Sequence, residues 1–179
     1  MGIRLVEVSK SFEGQLVLDR ISFAFPSRGV VGVGGPSGSG KTTLFNLLLG
    51  LIRPDSGRIE GVRRIGAVFQ EDRLVERLSA FQNVRLVTKD AKSIRDGLRA
   101  VGLGEASDEP VGTLSGGMRR RVAIVRGALF ACDTLLLDEP FQGLDAQSRA
   151  RTAEYLRKTC ADRLMILVTH DENEMKRMG

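Results

Sequence analysis

Gly35-Pro36-Ser37-Gly38-Ser39-Gly40-Lys41-Thr42 fits G-x-x-x-x-G-K-[ST] at every fixed position, and Thr43 follows it. Each residue type there has a chemical reason. Glycines let successive backbone N–H groups turn inward around a polyphosphate. Lys41 reaches the outer phosphates as a point charge, and the Thr42 hydroxyl is a ligand for Mg²⁺. An apolar run at 30–33 leads into this loop and an apolar helix over 42–51 leaves it, so the helix dipole adds positive potential at the phosphates. Sequence and context together predict that the chain binds a nucleoside triphosphate.

A second pattern supplies acids. Leu135-Leu136-Leu137 reads as a buried strand that ends in Asp138-Glu139-Pro140. In a parallel sheet, ligands bind beyond the C-terminal strand ends, which would bring both carboxylates beside the phosphate loop. Neighbouring strand positions point to different sides, so the two acids can divide the work. Asp138 would hold Mg²⁺ through water, and Glu139 would orient or deprotonate an attacking water. A third cluster, Leu114-Ser115-Gly116-Gly117-Met118, opens a helix running to about 130, with Arg119, Arg120 and Arg121 next in line. A helix start built from serine and glycine is a second anion site. Two such starts suggest one phosphate group held from two sides.

The elements that must position these groups alternate in a legible way. Residues 3–8, 16–18, 21–25, 30–33 and 65–69 read as strands, and 80–87 and 91–101 as amphipathic helices. Strand 135–137, helix 146–160 and strand 164–168 follow the long helix. Strand–helix alternation predicts a parallel sheet with helices on its faces, and residues 72–110 a small helical lobe set into it. The 179 residues, 42% hydrophobic and 27% charged with a net charge of +5, suit an ordinary soluble globular chain. No apolar run reaches the roughly 18 residues of a membrane span. The opening MGIRLVEV lacks the basic-then-apolar order of a secretory leader. Cys132, Cys160 and a single histidine make neither a disulfide framework nor a usual zinc site, so reduced thiols in an intracellular setting are expected.

In these motifs the sequence resembles the nucleotide-binding subunits of ATP-binding cassette (ABC) transporters. GPSGSGKTT is similar to that family's Walker A loop, VFQ at 68–70 to its Q-loop and LSGGM at 114–118 to its signature. LLLDEP at 135–140 resembles Walker B, GLD at 143–145 the D-loop and VTHD at 168–171 the switch histidine, all in the family's order. Phe12, within VSKSF, matches the position where the family stacks a ring on adenine. The resemblance implies an α/β fold, a P-loop NTPase (RecA-like) core with N-terminal antiparallel β strands and a small helical signature lobe. It implies one ATP-binding domain over 1–179, with 1–70 and about 131–179 forming the ATPase core and about 71–130 the lobe.

The resemblance also implies roles. ATP and Mg²⁺ are the expected cofactors. Gln70 would sense the γ-phosphate and Mg²⁺ and relay their state to the lobe. Ser115, Gly116 and Gly117 would reach ATP bound to another protomer, Asp145 would shape that interface, and His170 would help position Glu139. The expected partners are a second copy of the chain or a paralogous subunit, an integral-membrane permease and a solute-binding protein. The expected place is cytoplasmic, peripheral on the inner face of the cell membrane. Met118, where the family pattern has Gln, together with VFQEDRL at 68–74, resembles importers of the nitrate, sulfonate and taurine kind. The stretch from Gln70 to Ser115 is short for the family's lobe, and the sequence stops soon after His170, where relatives continue with further strands and helices. A soluble ABC ATPase acting on nucleic acid or ribosomes is the competing reading; the coiled coils, zinc modules or second cassette of that class are not in the sequence. Steep loss of nucleic-acid affinity with salt would favour it.

Overall fold

The computed structural model describes residues 2–36 and 38–171 together with Glu174 and Met178. Its centre is a four-stranded parallel sheet in the order β3-β7-β6-β5, formed by β3 (Gly29–Val33), β5 (Ile65–Val68), β6 (Thr134–Asp138) and β7 (Leu164–Val168). Strand β6 is all leucine in its middle because it is buried on both faces. Leu136 and Ile166 point into one core, and Leu135, Leu137, Met165 and Leu167 into the other. A second, antiparallel sheet, β2-β1-β4, lies on the first of these faces with helix α1 (Lys41–Leu48). It is built from β1 (Arg4–Phe12), β2 (Gln15–Ala24) and β4 (Ser56–Glu60).

The opposite face of the parallel sheet is covered by helices. These are α2 (Ala80–Arg85), α3 (Ala91–Ala100), α4 (Gly116–Leu129) and α5 (Ala146–Thr159), with two 3₁₀ turns between α3 and α4. Ile94 and Leu98 of α3 share one hydrophobic cluster with Val122 and Val125 of α4 and with Leu135 and Leu137 of the sheet. Side-chain caps set the helix starts. Ser79 and Gln82 make a reciprocal capping box on α2, Asp90 caps α3, and Asp145 caps α5 through the N–H groups of Gln147 and Ser148.

Three elements differ from the sequence reading. The runs at 16–18 and 21–25 are one strand, β2, irregular in its pairing with β1, and Arg20 sits at φ 42°. Strand β4 has no alternating signature, since only Ile59 of SGRIE is apolar; its place comes from pairing with β1. Helix α1 stops at Leu48 because Gly50 turns to φ 71°, with Gly50 N–H bonded to the Leu47 carbonyl and Leu51 N–H to the Asn46 carbonyl.

Helix α4 approaches β5 very closely at Gly127, where an added Cβ would lie 2.5 Å from a methyl of Val68. Val68 is β-branched and buried, so it has no free rotamer to move into. Gly127→Ala is therefore expected to destabilise the fold by about 1–2 kcal/mol, overpacking outweighing alanine's better helix propensity. A urea denaturation midpoint that stays level or rises would show that α4 can shift outward instead.

Candidate active site

The strand register decides where the chemistry meets. Val33, Val168 and Asp138 are level with one another across β3, β7 and β6, and Val68 is paired with Leu137. All four strands thus end at one edge. The phosphate loop, Gln70, Asp138-Glu139 and Thr169-His170 leave the sheet there together. A cleft of about 390 Å³ opens at this edge, lined by Gly38, Gly40, Lys41, Thr42, Thr43, Gln70, Asp138, Glu139, Gln142 and His170, with Val17 on the wall.

Gly40 caps α1 at φ 87°, and a Cβ there would come within 2.9 Å of Leu18 and 3.3 Å of the Val17 carbonyl. Only glycine accepts both that left-handed backbone and the close approach of β2. Lys41 Nζ donates to the carbonyls of Gly35 and Pro36, 2.8 Å each, so its ammonium closes the loop from inside. Ser37 lies outside the described residues.

Glu139 sits at φ 44°, a conformation costly for a residue with a side chain and one that collects at functional sites. Its N–H still bonds the Val168 carbonyl at 2.8 Å. That kink sends the carboxylate back over β7, where three donors hold it. His170 Nδ1 lies 2.8 Å and His170 N–H 3.1 Å from Oε1, and the Thr169 hydroxyl 3.2 Å from Oε2. The carboxylate fixes the histidine tautomer with the proton on Nδ1, leaving Nε2 towards the cleft. The hydrogen bond and charge of Glu139 raise the His170 pKa. Asp138 is also pushed up, first by burial and then by Glu139 beside it, against the pull of Arg120 and Lys41.

Lys41, Thr42, Thr43, Gln70, Asp138, Glu139 and His170 line this one cleft. Gln70 is held by a 3.4 Å contact from its amide to Gln142. The other candidates sit elsewhere. Phe12 is 46% exposed on the β1–β2 hairpin with Lys10 5.4 Å from its ring centre, and Val17 rather than Phe12 lines the cleft. Ser115 caps α4 by accepting from the Met118 N–H; neither it nor Gly116 nor Gly117 lines the cleft. A side chain at Gly117 would meet the Gly143 carbonyl at 3.4 Å, so the signature packs against the loop that ends at Asp145.

Sequence reasoning missed three residues. Thr169 and Glu174 are buried behind Glu139, with the Thr169 hydroxyl 2.7 Å from Glu174 Oε2. Burial raises the Glu174 pKa. Arg120 is the third, buried under the strand ends.

The family model described as "ABC transporter" matches residues 18–142, more than half of the chain. The chain belongs to the ABC transporter family. Membership makes it an ATP-binding chain and an ATPase, and accounts for the phosphate loop and paired acids in one cleft. This ABC chain is 36% identical to a probable sulfate/thiosulfate import ATP-binding protein of Chlorella vulgaris, with 97% of the chain and 83% of that relative covered. It is 37% identical to an aliphatic sulfonates import ATP-binding protein of Rhodococcus jostii, covering 100% of the chain and 69% of the relative. A spermidine/putrescine import ATP-binding protein of Fusobacterium nucleatum is 36% identical; 96% of the chain spans 51% of that relative's length. The chain spans little more than half of several other import ATP-binding relatives. A chain described as a "putative metal-chelate type ABC transporter", solved in an inward-facing conformation, shares the fold with a TM-score of 0.83 at 23% identity, covering 99% of this chain and 76% of that one. Among the described residues, no helix is long and apolar enough to cross a membrane.

Proposed function

We propose that this ABC ATPase powers solute import by closing, with a second copy or a paralogous subunit, around ATP, and that a separate permease supplies the membrane path. The observation that carries this is the single cleft in which Lys41, Thr42, Gln70, Asp138, Glu139 and His170 meet while Ser115, Gly116 and Gly117 lie off it. Hydrolytic groups in the cleft with the second helix start outside it support completion of the site by another protomer. Such an interface uses the same patch twice. ATP would bridge the two subunits, Asp145 would shape their contact, and Phe12 on the hairpin would stack on the adenine.

Thr42, Gln70 and, through water, Asp138 would hold Mg²⁺. The donor set is hard oxygen with one carboxylate, and among the described residues no cluster of three or more His, Cys, Asp or Glu could hold a metal. That suits an ion which takes much of its shell from phosphate and water. The ion supplies charge to offset the polyphosphate. The chain's own residues do the rest: the loop amides and Lys41 bind, Glu139 takes a proton from the attacking water, and His170 holds Glu139 in line.

Relatives of nearly equal identity are named for sulfate, sulfonates and polyamines, solutes of opposite charge. That spread supports a division in which the permease and a solute-binding protein choose the solute and this chain supplies energy on the inner face of the membrane. Tagging the chain, solubilising membranes of its source and identifying what co-purifies tests the reading. A multi-span permease in stoichiometric amount is the expected result. Recovery from the soluble fraction alone, with RNA or DNA attached, would overturn it.

A further inference from the structure

Of the three arginines that follow Met118, only Arg120 is buried, at 4% exposure. Its Nε donates to the Pro140 carbonyl at 3.0 Å. Nη1 donates to the carbonyls of Phe69 and Gln70, the latter at 3.2 Å, and lies 3.4 Å from Asp72 Oδ1. Nη2 donates to the carbonyls of Asp138 and Glu139, the latter at 2.9 Å. A guanidinium has five N–H groups in a planar fork, and here each nitrogen is engaged. Five of the six acceptors are main-chain carbonyls of the two segments that leave β5 and β6. Past a strand end, carbonyls lose their ladder partners and need others. One side chain supplies them for both exits at once.

The placement links three things that the ATPase needs together. Arg120 belongs to α4, whose first turn is the Ser115–Gly117 signature. The β5 exit presents Gln70, and the β6 exit presents Asp138 and the kinked Glu139. The guanidinium also puts a fixed positive charge beneath two adjacent acids. Lysine keeps the charge but offers its donors from one point, and glutamine keeps two donors without charge. Neither spans both exits.

We propose that Arg120 is a positioning residue of the ATPase site, fastening the helix that starts at Ser115 to the strand ends that carry Gln70 and Asp138-Glu139. This rests on the ATPase reading of the cleft. The test measures ATP affinity and turnover separately in the intact chain for Arg120→Lys and Arg120→Gln. Both are expected to bind ATP within about 3-fold of wild type, because the phosphate loop is untouched. Turnover at saturating ATP is expected to fall about 10-fold in Arg120→Lys and about 100-fold in Arg120→Gln, the scale of a misplaced catalytic group. In a Gln70→Ala background, Arg120→Gln is expected to cost several-fold less than in the wild type, because the two act through one loop.

Wild-type turnover in Arg120→Gln would overturn the proposal, as would equal proportional losses of affinity and turnover, which mark a purely structural role. If Arg120→Gln does not fold, Arg120→Lys decides alone, with reduced turnover at unchanged affinity supporting the proposal and wild-type turnover ending it. Absence of ATP turnover in the wild-type chain would strike the ATPase reading instead.

Discussion

Glu139→Gln lowers ATP turnover by about 10²–10⁴-fold, the usual contribution of a general base, and leaves ATP affinity unchanged. The reason is local. Oε1 accepts from His170 Nδ1 at 2.8 Å and from the His170 N–H at 3.1 Å, and Oε2 faces the Thr169 hydroxyl at 3.2 Å. A glutamine can place its carbonyl oxygen towards His170 and its amide towards the Thr169 oxygen, whose own proton then goes to Glu174, so the variant keeps its contacts and its fold. It loses only the ability to take a proton. If closure around ATP precedes hydrolysis, the variant accumulates as an ATP-bound dimer. Stopped turnover assays give the first effect, and light scattering with and without ATP gives the second. Wild-type turnover would remove Glu139 from the role of base. Lost turnover with no dimer would leave the base in place and strike the sandwich arrangement.

Glu139→Gln and Arg120→Gln lose turnover in two different ways. Glu139 is held from the β7 side by residues 169 and 170, and from beneath by a guanidinium on α4. The first support sets the direction of the carboxylate, and the second sets the height of the strand end that carries it. Thr169 adds a further layer, since its hydroxyl lies between Glu139 and the buried Glu174 and accepts from the Asp171 N–H at 3.1 Å. One hydroxyl proton cannot serve two carboxylates at once. A proton on either carboxylate would let both contacts form, and burial raises the Glu174 pKa, the direction that favours Glu174 as its holder.

What was legible in the sequence followed from contiguity. The phosphate loop spends its residues in one stretch, so Gly40, Lys41 and Thr42 could be assigned from type and spacing. The leucines of β6 announced a strand buried on both faces, and the acids after it therefore had to emerge at the ligand edge. Residues whose meaning depends on distant partners were opaque. Arg120 reads as the middle of a basic run, because its acceptors lie about 50 and 20 positions away in sequence. Thr169 is an ordinary polar residue until the Glu139 kink brings a carboxylate over it. Strand β4 is visible only through β1, since SGRIE has almost no pattern of its own. Ser115 was legible as a helix cap, and the structure keeps it in that role, accepting from the Met118 N–H and off the cleft.

Lys41→Ala is expected to remove most ATP binding, weakening affinity by at least about 100-fold. Hydrogen bonds to a charged partner are worth about 1.5–3 kcal/mol each, and Lys41 would make two to the outer phosphates. At 1.4 kcal/mol per tenfold, two such bonds reach about 10² and can exceed it. The structure adds a second cost. The ammonium bonds the Gly35 and Pro36 carbonyls at 2.8 Å each; with three N–H groups it can keep one of these while making two bonds to phosphate, and so still ties the loop. Alanine has no donor to replace either function. Lys41→Arg separates the two effects: it keeps the charge, while its planar fork meets the inward carbonyls less well than a rotatable ammonium. Affinity measured by titration calorimetry should then fall in the order wild type, Arg, Ala. Retention of wild-type affinity in Lys41→Ala would mean that the glycine loop is not the phosphate site. In that case Gln70, Glu139 and His170 would need another substrate to act on.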